Sequence, residues 1–457
     1  MTIELKNNAM VGVIGGGPAG SFFSYMLLNL AKEKGIKLNL EIYEGKHFSK
    51  SGPAGCNFCA GVISERLIEK MEHIGIIIPD EIAQSKVEGY CMKTSLGEAL
   101  LYHPYIKTRI ISVFRGNGPL FSNLTKNISF DDLLLKESIK MGAKVIYEIV
   151  YDIKFPLEPT DQITLIVGKE KRIVKVDFLI GAFGLNISFM DKIKHAGFGY
   201  KPPKVYRTFQ TEIKCDSTFI REIFKSFIYI YNLGIQHIRF AAIVPKGEYL
   251  TLTIIGEKNI NYQEILDFLK NPCIKEMIPR NWHFSTQHCH CFPNIAITSA
   301  KKPYTNRFVI IGDASCSRYY KNGIESAFIT ATIAAKTAIN HGISEKDFEK
   351  WYWKKTRNLR IDNIFGKLLF HINDNIVKFK LITESHLRIA NSTGYASSVL
   401  REILWNMFTG NIEYYKIFIK ILNPALHITI FISLIIAKLI KMKNILAKFI
   451  KSLAKYI

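Results

Sequence analysis

The chain has 457 residues, enough for two or three subdomains with ample burial. Its 61 basic and 39 acidic residues leave a net charge of +22, which points to an anionic membrane surface, a polyanion or an acidic protein partner. Nucleic acid is disfavoured, since the chain has no zinc-finger spacing, RNA-binding signature or basic stripe interleaved with aromatics in its first half, and eight cysteines are too sparse for a small secreted disulfide scaffold.

In chain order, Met1–Asn8 is short and polar with no secretory signal, so the fold is expected to begin at Met10 on the cytoplasmic side. Met10–Ile14 reads as a buried parallel strand, followed by the turn Gly15-Gly-Gly17-Pro18-Ala19-Gly20 and a helix over Ser21–Lys34. Gly15 permits the tight turn, Gly17 leaves room for a pyrophosphate, and Gly20 lets helix and strand pack closely. The next strand, Leu38–Glu44, ends on an acid placed to accept a ribose hydrogen bond, which completes a dinucleotide fingerprint. The fingerprint alone does not choose between NAD and FAD.

Further on, Ile110–Phe114 is strand-like and ends at Arg115. Tyr206–Lys214, His237–Val244 and Glu248–Ile255 alternate with period two and predict an antiparallel floor, with a turn at Pro245-Lys-Gly247. Phe308–Ile311 is another buried strand, ending at Gly312-Asp313-Ala314, and a helix is expected over Gly323–Ala335. An acid at a strand end beside a helix start suits a sugar hydroxyl and a phosphate. Beyond Ser344 the sequence turns helical and aromatic. His195, His237 and His283 are isolated, and Tyr319 and Tyr320 suit either a ring pocket or simple packing.

Together these motifs resemble the flavoproteins that include p-hydroxybenzoate hydroxylase and the geranylgeranyl reductases, most strongly the reductase branch and loosely over residues 9 to 410. The resemblance implies bound FAD: Gly15, Gly17, Pro18, Ala19, Gly20 and Glu44 at the dinucleotide, Gly312 and Asp313 on the flavin chain, Asn322, Gly323 and Ile324 beside the ring, and Arg115 on the phosphates or ribityl. It also matches the segment from Pro53 through Cys56 and Cys59 to Ser64 to a cysteine and glycine stretch beside the flavin. Phe183 stands where the family usually has an acid in Gly-Ala-Asp-Gly, which weighs against direct NAD(P)H use and monooxygenation. No Gly-Trp-x-Trp-x-Ile-Pro segment marks a halogenase.

The implied architecture is α/β with an antiparallel substrate sheet. A Rossmann-like FAD domain (9–63, 120–190, 290–343) would be interleaved with a substrate domain (64–119, 191–289), then a helical cap (344–424) and a basic amphipathic helix (425–457). In that last segment the apolar run Ala425–Ala437 spans thirteen residues, followed by lysines with no acid. Thirteen residues are too few to cross about 30 Å of hydrocarbon, so an interfacial anchor on an anionic membrane is expected, the alternatives being a solvated or partner-packed helix and a single span. Cys56-x-x-Cys59 and His288-Cys289-His-Cys291 have ligand-like spacing, but packing thiols are the simpler reading and no metal is expected. Cys56 and Cys59 are also the candidate proton donors. The expected activity is reduction of carbon-carbon double bonds in an apolar, isoprenoid-like substrate, with electrons from ferredoxin or NAD(P)H. The alternatives are a flavin monooxygenase and a non-catalytic electron-transfer module.

Overall fold

The computed structural model describes residues 3–453 except 59, 104–108, 123–125, 159–160, 286 and 321; the side chains of 444, 446 and 448–453 also lie outside the description. Cys59 therefore falls outside the described residues. The first layer is a six-stranded sheet in the order Tyr304–Thr305, Phe308–Ile310, Phe178–Gly181, Ala9–Ile14, Leu38–Tyr43, Lys144–Ile146. All its pairings are parallel except the short hairpin at Tyr304. Strands distant in sequence become neighbours because Val11, Val13, Leu40, Ile42, Phe178 and Ile180 are almost wholly buried, as both faces of a parallel sheet demand. Helices Pro18–Glu33, Phe130–Lys140 and Gly323–Asn340 contribute to the core that includes these strands.

An antiparallel layer of Val150–Lys154, Ile163–Val167 and Arg172–Val176 joins a second core on this sheet. A seven-stranded sheet runs His290–Cys291, Phe209–Lys214, Tyr249–Gly256, Ile238–Lys246, Phe227–Asn232, Gly89–Thr94, Gly97–Tyr102. The expected long strand at 206–214 is interrupted: Val205–Arg207 pairs with Asn294–Ala296, while Phe209–Lys214 enters the large sheet. The hairpin turn is tighter than expected, because Pro245 and Lys246 remain in register with Leu250 and Tyr249, leaving Gly247 and Glu248 to turn the chain.

The C-terminal region is helical, with Arg357–Lys378, Lys380–Ala390, Tyr395–Thr409, Tyr414–Ile421 and Pro424–Leu453. Tyr319, Tyr320, Leu369, Phe370, Leu400 and Tyr414 belong to the core that joins this cap to the rest. The thirteen-residue apolar count proves too short: within the last helix, Pro424–Lys443 is 20 residues, long enough to cross a bilayer, and holds a window of mean hydropathy 1.9. Its packing, not its length, decides how it is used.

The first strand and helix meet without slack. Gly15 has φ +100°, and a Cβ there would lie 2.5 Å from the Ala182 carbonyl oxygen; a Cβ on Gly20 would lie 1.9 Å from the Gly15 carbonyl oxygen. Gly20→Ala is expected to destabilise the chain by about 1–3 kcal/mol through overpacking against backbone that has no room to move. Gly35→Ala, where a Cβ meets nothing within 4 Å, isolates the smaller cost of a positive φ. Urea midpoints of the two variants check this, and equal midpoints would refute the close-approach argument.

Candidate cofactor cradle and adjoining cavity

The glycine turn leads into a helix whose first residue is Pro18 and whose N-terminus receives no side-chain cap from Gly17. Its first amide groups are thereby left for an anion. The Gly16 N–H donates to Glu44 Oε2 (2.8 Å) and the Lys46 N–H to Glu44 Oε1 (2.9 Å), so the acid that ends the second strand also pins the turn. Burial pushes the Glu44 carboxyl up, against these two N–H donors and the Lys46 ammonium. Each carboxylate oxygen keeps a further lone pair for a ribose hydroxyl.

A Cβ on Gly17 would lie 3.3 Å from Asn57 Nδ2, and that amide donates to Asp131 Oδ2 (2.5 Å). Asp131 sits in the first turn of helix Phe130–Lys140, capped by Ser129, and is fully buried. Its two oxygens accept from Arg115 Nε and from Arg115 Nη2, the latter at 2.8 Å. Arg115 is thus engaged fork to fork by a carboxylate, which fixes the guanidinium beside the turn. Lys46 completes the group, donating to the Cys56 carbonyl (2.5 Å) with its Nζ 4.1 Å from the Phe58 ring centroid. Asp131, Asn57 and Lys46 had no sequence signal, because each gains its meaning only from a neighbour far along the chain.

On the other side of the turn, a Cβ on Gly312 would lie 2.9 Å from Ala19 Cβ, so the Gly-Asp-Ala segment rests directly on the first helix. Asp313 Oδ1 is buried with no hydrogen-bond partner. Burial pushes its carboxyl up, while Arg115 and Ser317 pull the other way. Gly323, opening helix Gly323–Asn340, stands close: a Cβ there would be 3.4 Å from Asp313 Oδ1. Asn322, at φ +47°, does not cap that helix; its Nδ2 donates to Glu325 Oε2 (3.0 Å) and to the Gly410 carbonyl (3.4 Å). Ile324 is buried in the first core. The structure therefore gathers Gly15, Gly17, Pro18, Ala19, Gly20, Glu44, Arg115, Gly312, Asp313, Asn322, Gly323 and Ile324 around the two strand ends. Tyr319 and Tyr320 face the cap instead, with Arg239 donating to Tyr319 Oη (3.0 Å) and paired to Asp374 (2.8 Å). His195 lies on an open groove that shares no residue with this cradle.

A cavity adjoins the cradle, lined by the turn carrying Cys56 and Phe58, by Arg115 and Gly116, and by Gln210, Glu212, Cys289 and Cys291 from the edge of the large sheet. Cys56 thus meets Cys289 and Cys291 on one cavity. Among the described residues, however, no group of three or more His, Cys, Asp or Glu side chains is placed to hold a metal. Cys291 pairs with Gln210 in the sheet, and the Cys289 carbonyl accepts from the Glu212 N–H (3.0 Å) and Thr211 Oγ1 (3.0 Å), so both are held by strand pairing. Burial raises the thiols of Cys56 and Cys291 and pushes Cys289 up to about 11. Glu212 was not foreseen: burial raises its carboxyl, opposed by Lys246 and by hydrogen bonds from Thr251 (2.7 Å) and Gln210. Its position in an alternating strand gave the only hint, an acid where the opposite face is apolar.

No family profile matches the chain. It is 26% identical over 205 residues to a geranylgeranyl diphosphate reductase of Synechocystis, covering 42% of this chain and 42% of that one. Among solved structures, a geranylgeranyl bacteriochlorophyll reductase-like protein from Thermoplasma acidophilum superposes with a TM-score of 0.61 at 16% identity, over 83% of this chain and 92% of that one. The p-nitrophenol 4-monooxygenase of Pseudomonas putida superposes equally well, with a TM-score of 0.61 at 15% identity over 89% and 99%. The chain has the fold of the FAD-dependent oxidoreductases, the superfamily of the geranylgeranyl reductase-like flavoproteins and the flavin monooxygenases.

Proposed function

We propose that the protein binds FAD along the glycine turn and the Gly312-Asp313 strand end, and reduces carbon-carbon double bonds in an apolar, isoprenoid-like substrate. The observation that carries the cofactor is Asp313, a buried carboxylate oxygen without a partner, set between the first helix and an uncapped helix start. An orphaned buried acceptor is costly, and a ribityl or ribose hydroxyl supplies the missing donor. The uncapped amides of the helix beginning at Pro18 suit the pyrophosphate, and Glu44 the adenosine ribose. Bound flavin supplies hydride chemistry; the chain orients it, excludes water and manages protons.

The preference for reduction over oxygenation rests on the likeness to the reductase and on the residues beside the cradle. Phe183 takes the place of the family's acid, and its ring packs on Phe189 with centroids 4.8 Å apart. Cys56 and Glu212 both line the cavity, and burial pushes both towards their protonated forms. A carboxylic acid is the stronger of the two, so Glu212 releases its proton to a developing carbanion while the thiol stays neutral. The donor of electrons is a small carrier such as ferredoxin or a reduced nicotinamide.

Asp313→Asn is expected to weaken FAD binding at least about tenfold, the worth of a hydrogen bond to a charged group, while stabilising the flavin-free protein. The sign follows from the raised carboxyl: its favourable contribution is present below the unfolded value near 3.9 and is lost as pH rises through the folded value. The stability of the flavin-free wild type should therefore fall with pH relative to Asp313→Asn. FAD titration and melts across pH check both, and unaltered FAD affinity would sink the assignment.

Anaerobic photoreduction of the FAD-loaded protein, followed by oxygen or by polyprenyl lipids, separates the reactions. Slow reoxidation by oxygen with fast reoxidation by the lipid supports reduction, whereas rapid oxygen consumption coupled to NADPH selects the monooxygenase. Glu212→Gln should leave photoreduction intact and slow reoxidation by lipid roughly 100-fold. An unchanged rate excludes Glu212 as the proton donor.

A further inference from the structure

The last helix, Pro424–Leu453, is attached to the cap along one narrow stripe. Leu426, Ser433 and Ala437 are buried and Ile430 partly so, on the side that meets helices Lys380–Ala390 and Tyr395–Thr409. These positions recur at i, i+4, i+7 and i+11, one face of an α-helix. On the opposite face, within about 50° of the direction pointing away from the stripe, lie Ile428, Phe431, Ile432, Ile435, Leu439 and Met442. All are exposed, between 51% and 65% except Ile435 at 45%. Only 17% of the most apolar window is buried. A continuous apolar face of that length, turned away from its own protein, is too large for a solvated surface helix.

The lysines make the arrangement directional. Lys438 and Lys443 fall about 70° to either side of the outward direction and so flank the apolar face, while Lys441 lies within about 50° of the packed stripe's azimuth but beyond Ala437, the last residue of that stripe buried against the cap. The outward face itself stays apolar and is bordered by a lysine on each side. No acidic side chain follows Glu413, whereas eight lysines do. We propose that this helix lies in the plane of an anionic bilayer, its outward face in the headgroup and acyl boundary and its cap-facing side level with the lipid phosphates.

A crossing orientation has sufficient length, about 30 Å for 20 residues, but the packing opposes it. The first half of the helix is fastened to segments carrying Glu384, Arg388, Arg401 and Glu402, which a crossing helix would draw into hydrocarbon. Lying flat costs nothing of this kind, and it lets apolar burial and lysine attraction act together. The inference does not rest on the flavin reading, because it uses no residue of the cradle.

The test is co-sedimentation of the full chain with vesicles of phosphatidylcholine alone or mixed with phosphatidylglycerol. The expected result is binding to the mixed vesicles, weakened at least about tenfold by Ile435→Glu with Leu439→Glu and by high salt, and released by alkaline carbonate. Both substituted residues are exposed, and an unchanged melting curve confirms the variant's fold. Resistance to carbonate would overturn the proposal in favour of a crossing helix. Failure to bind vesicles, together with a dimer in solution that the double variant dissociates, would assign the face to a second copy. Failure to bind with a monomeric chain would overturn it outright.

Discussion

The close approach of strand and helix at the glycine turn is the constraint on which the site depends. With Gly20 against the Gly15 carbonyl, the helix beginning at Pro18 cannot back away from the sheet, and its amide end is held at the level of the strand ends. Three separate segments are then located relative to that end. Glu44 reaches the Gly16 N–H from the second strand, Asn57 sits against Gly17, and Gly312 against Ala19. The parallel sheet brings these strand ends together because its buried valines, isoleucines and leucines leave no other low-energy register.

Polar groups then tie the cradle to the adjoining cavity. Asn57, Asp131 and Arg115 form one chain of charge-assisted hydrogen bonds centred on the buried Asp131, and Arg115 also acts on Asp313 and lines the cavity. Such a pair is poor evidence of net stability, because desolvation offsets attraction, yet removing one partner leaves a buried charge at a cost of about 3–5 kcal/mol. Its value is positional. A guanidinium gripped at two nitrogens cannot swing, so the loop at 115–118 and the turn at 52–57 keep their spacing: the Asn117 N–H donates to the Lys50 carbonyl (3.0 Å) and the Gly52 N–H to the Gly118 carbonyl (2.9 Å).

What could be read from sequence was what depends on local pattern. The glycine spacing, the apolar strand runs and the helix at Gly323 follow from periodicity and from backbone needs at adjacent positions. Strand ends were less legible. The break at Thr208 arises because its N–H and hydroxyl both donate to the Pro293 carbonyl (2.8 and 2.9 Å), a partner 85 residues away. The polar members of the site were least legible: Asp131 looks like an ordinary acid in a helix's first turn, and Glu212 like the polar half of an alternating strand. Arg115 was singled out by its place in the chain, but its engagement by Asp131 depends on how the helix docks. The last helix was legible, but its apolar stretch reads as thirteen residues when the run is ended at Lys438, although Leu439, Ile440 and Met442 follow. In a helix Ser433 turns to the cap, and Thr429 satisfies its hydroxyl on the Ala425 carbonyl (2.7 Å).

The fold is shared between reductases and monooxygenases, so the choice between them must come from the cavity. Burial acts there in one direction: it raises Glu212, Cys56, Cys289 and Cys291 alike, and so favours the uncharged form of each. The guanidinium at the cavity wall is already neutralised by Asp131. The nearby lysines are engaged as well: Lys246 faces Glu212, and Lys46 donates to the Cys56 carbonyl (2.5 Å). An apolar chain asks for no counter-charge and gains from the same burial that neutralises the acids. Reduction of its double bond needs a proton from a weak acid close at hand, and a carboxyl raised by burial is such an acid. On the proposed reading, the burial that would favour an apolar chain is the same burial that holds Glu212 towards its proton-bearing form.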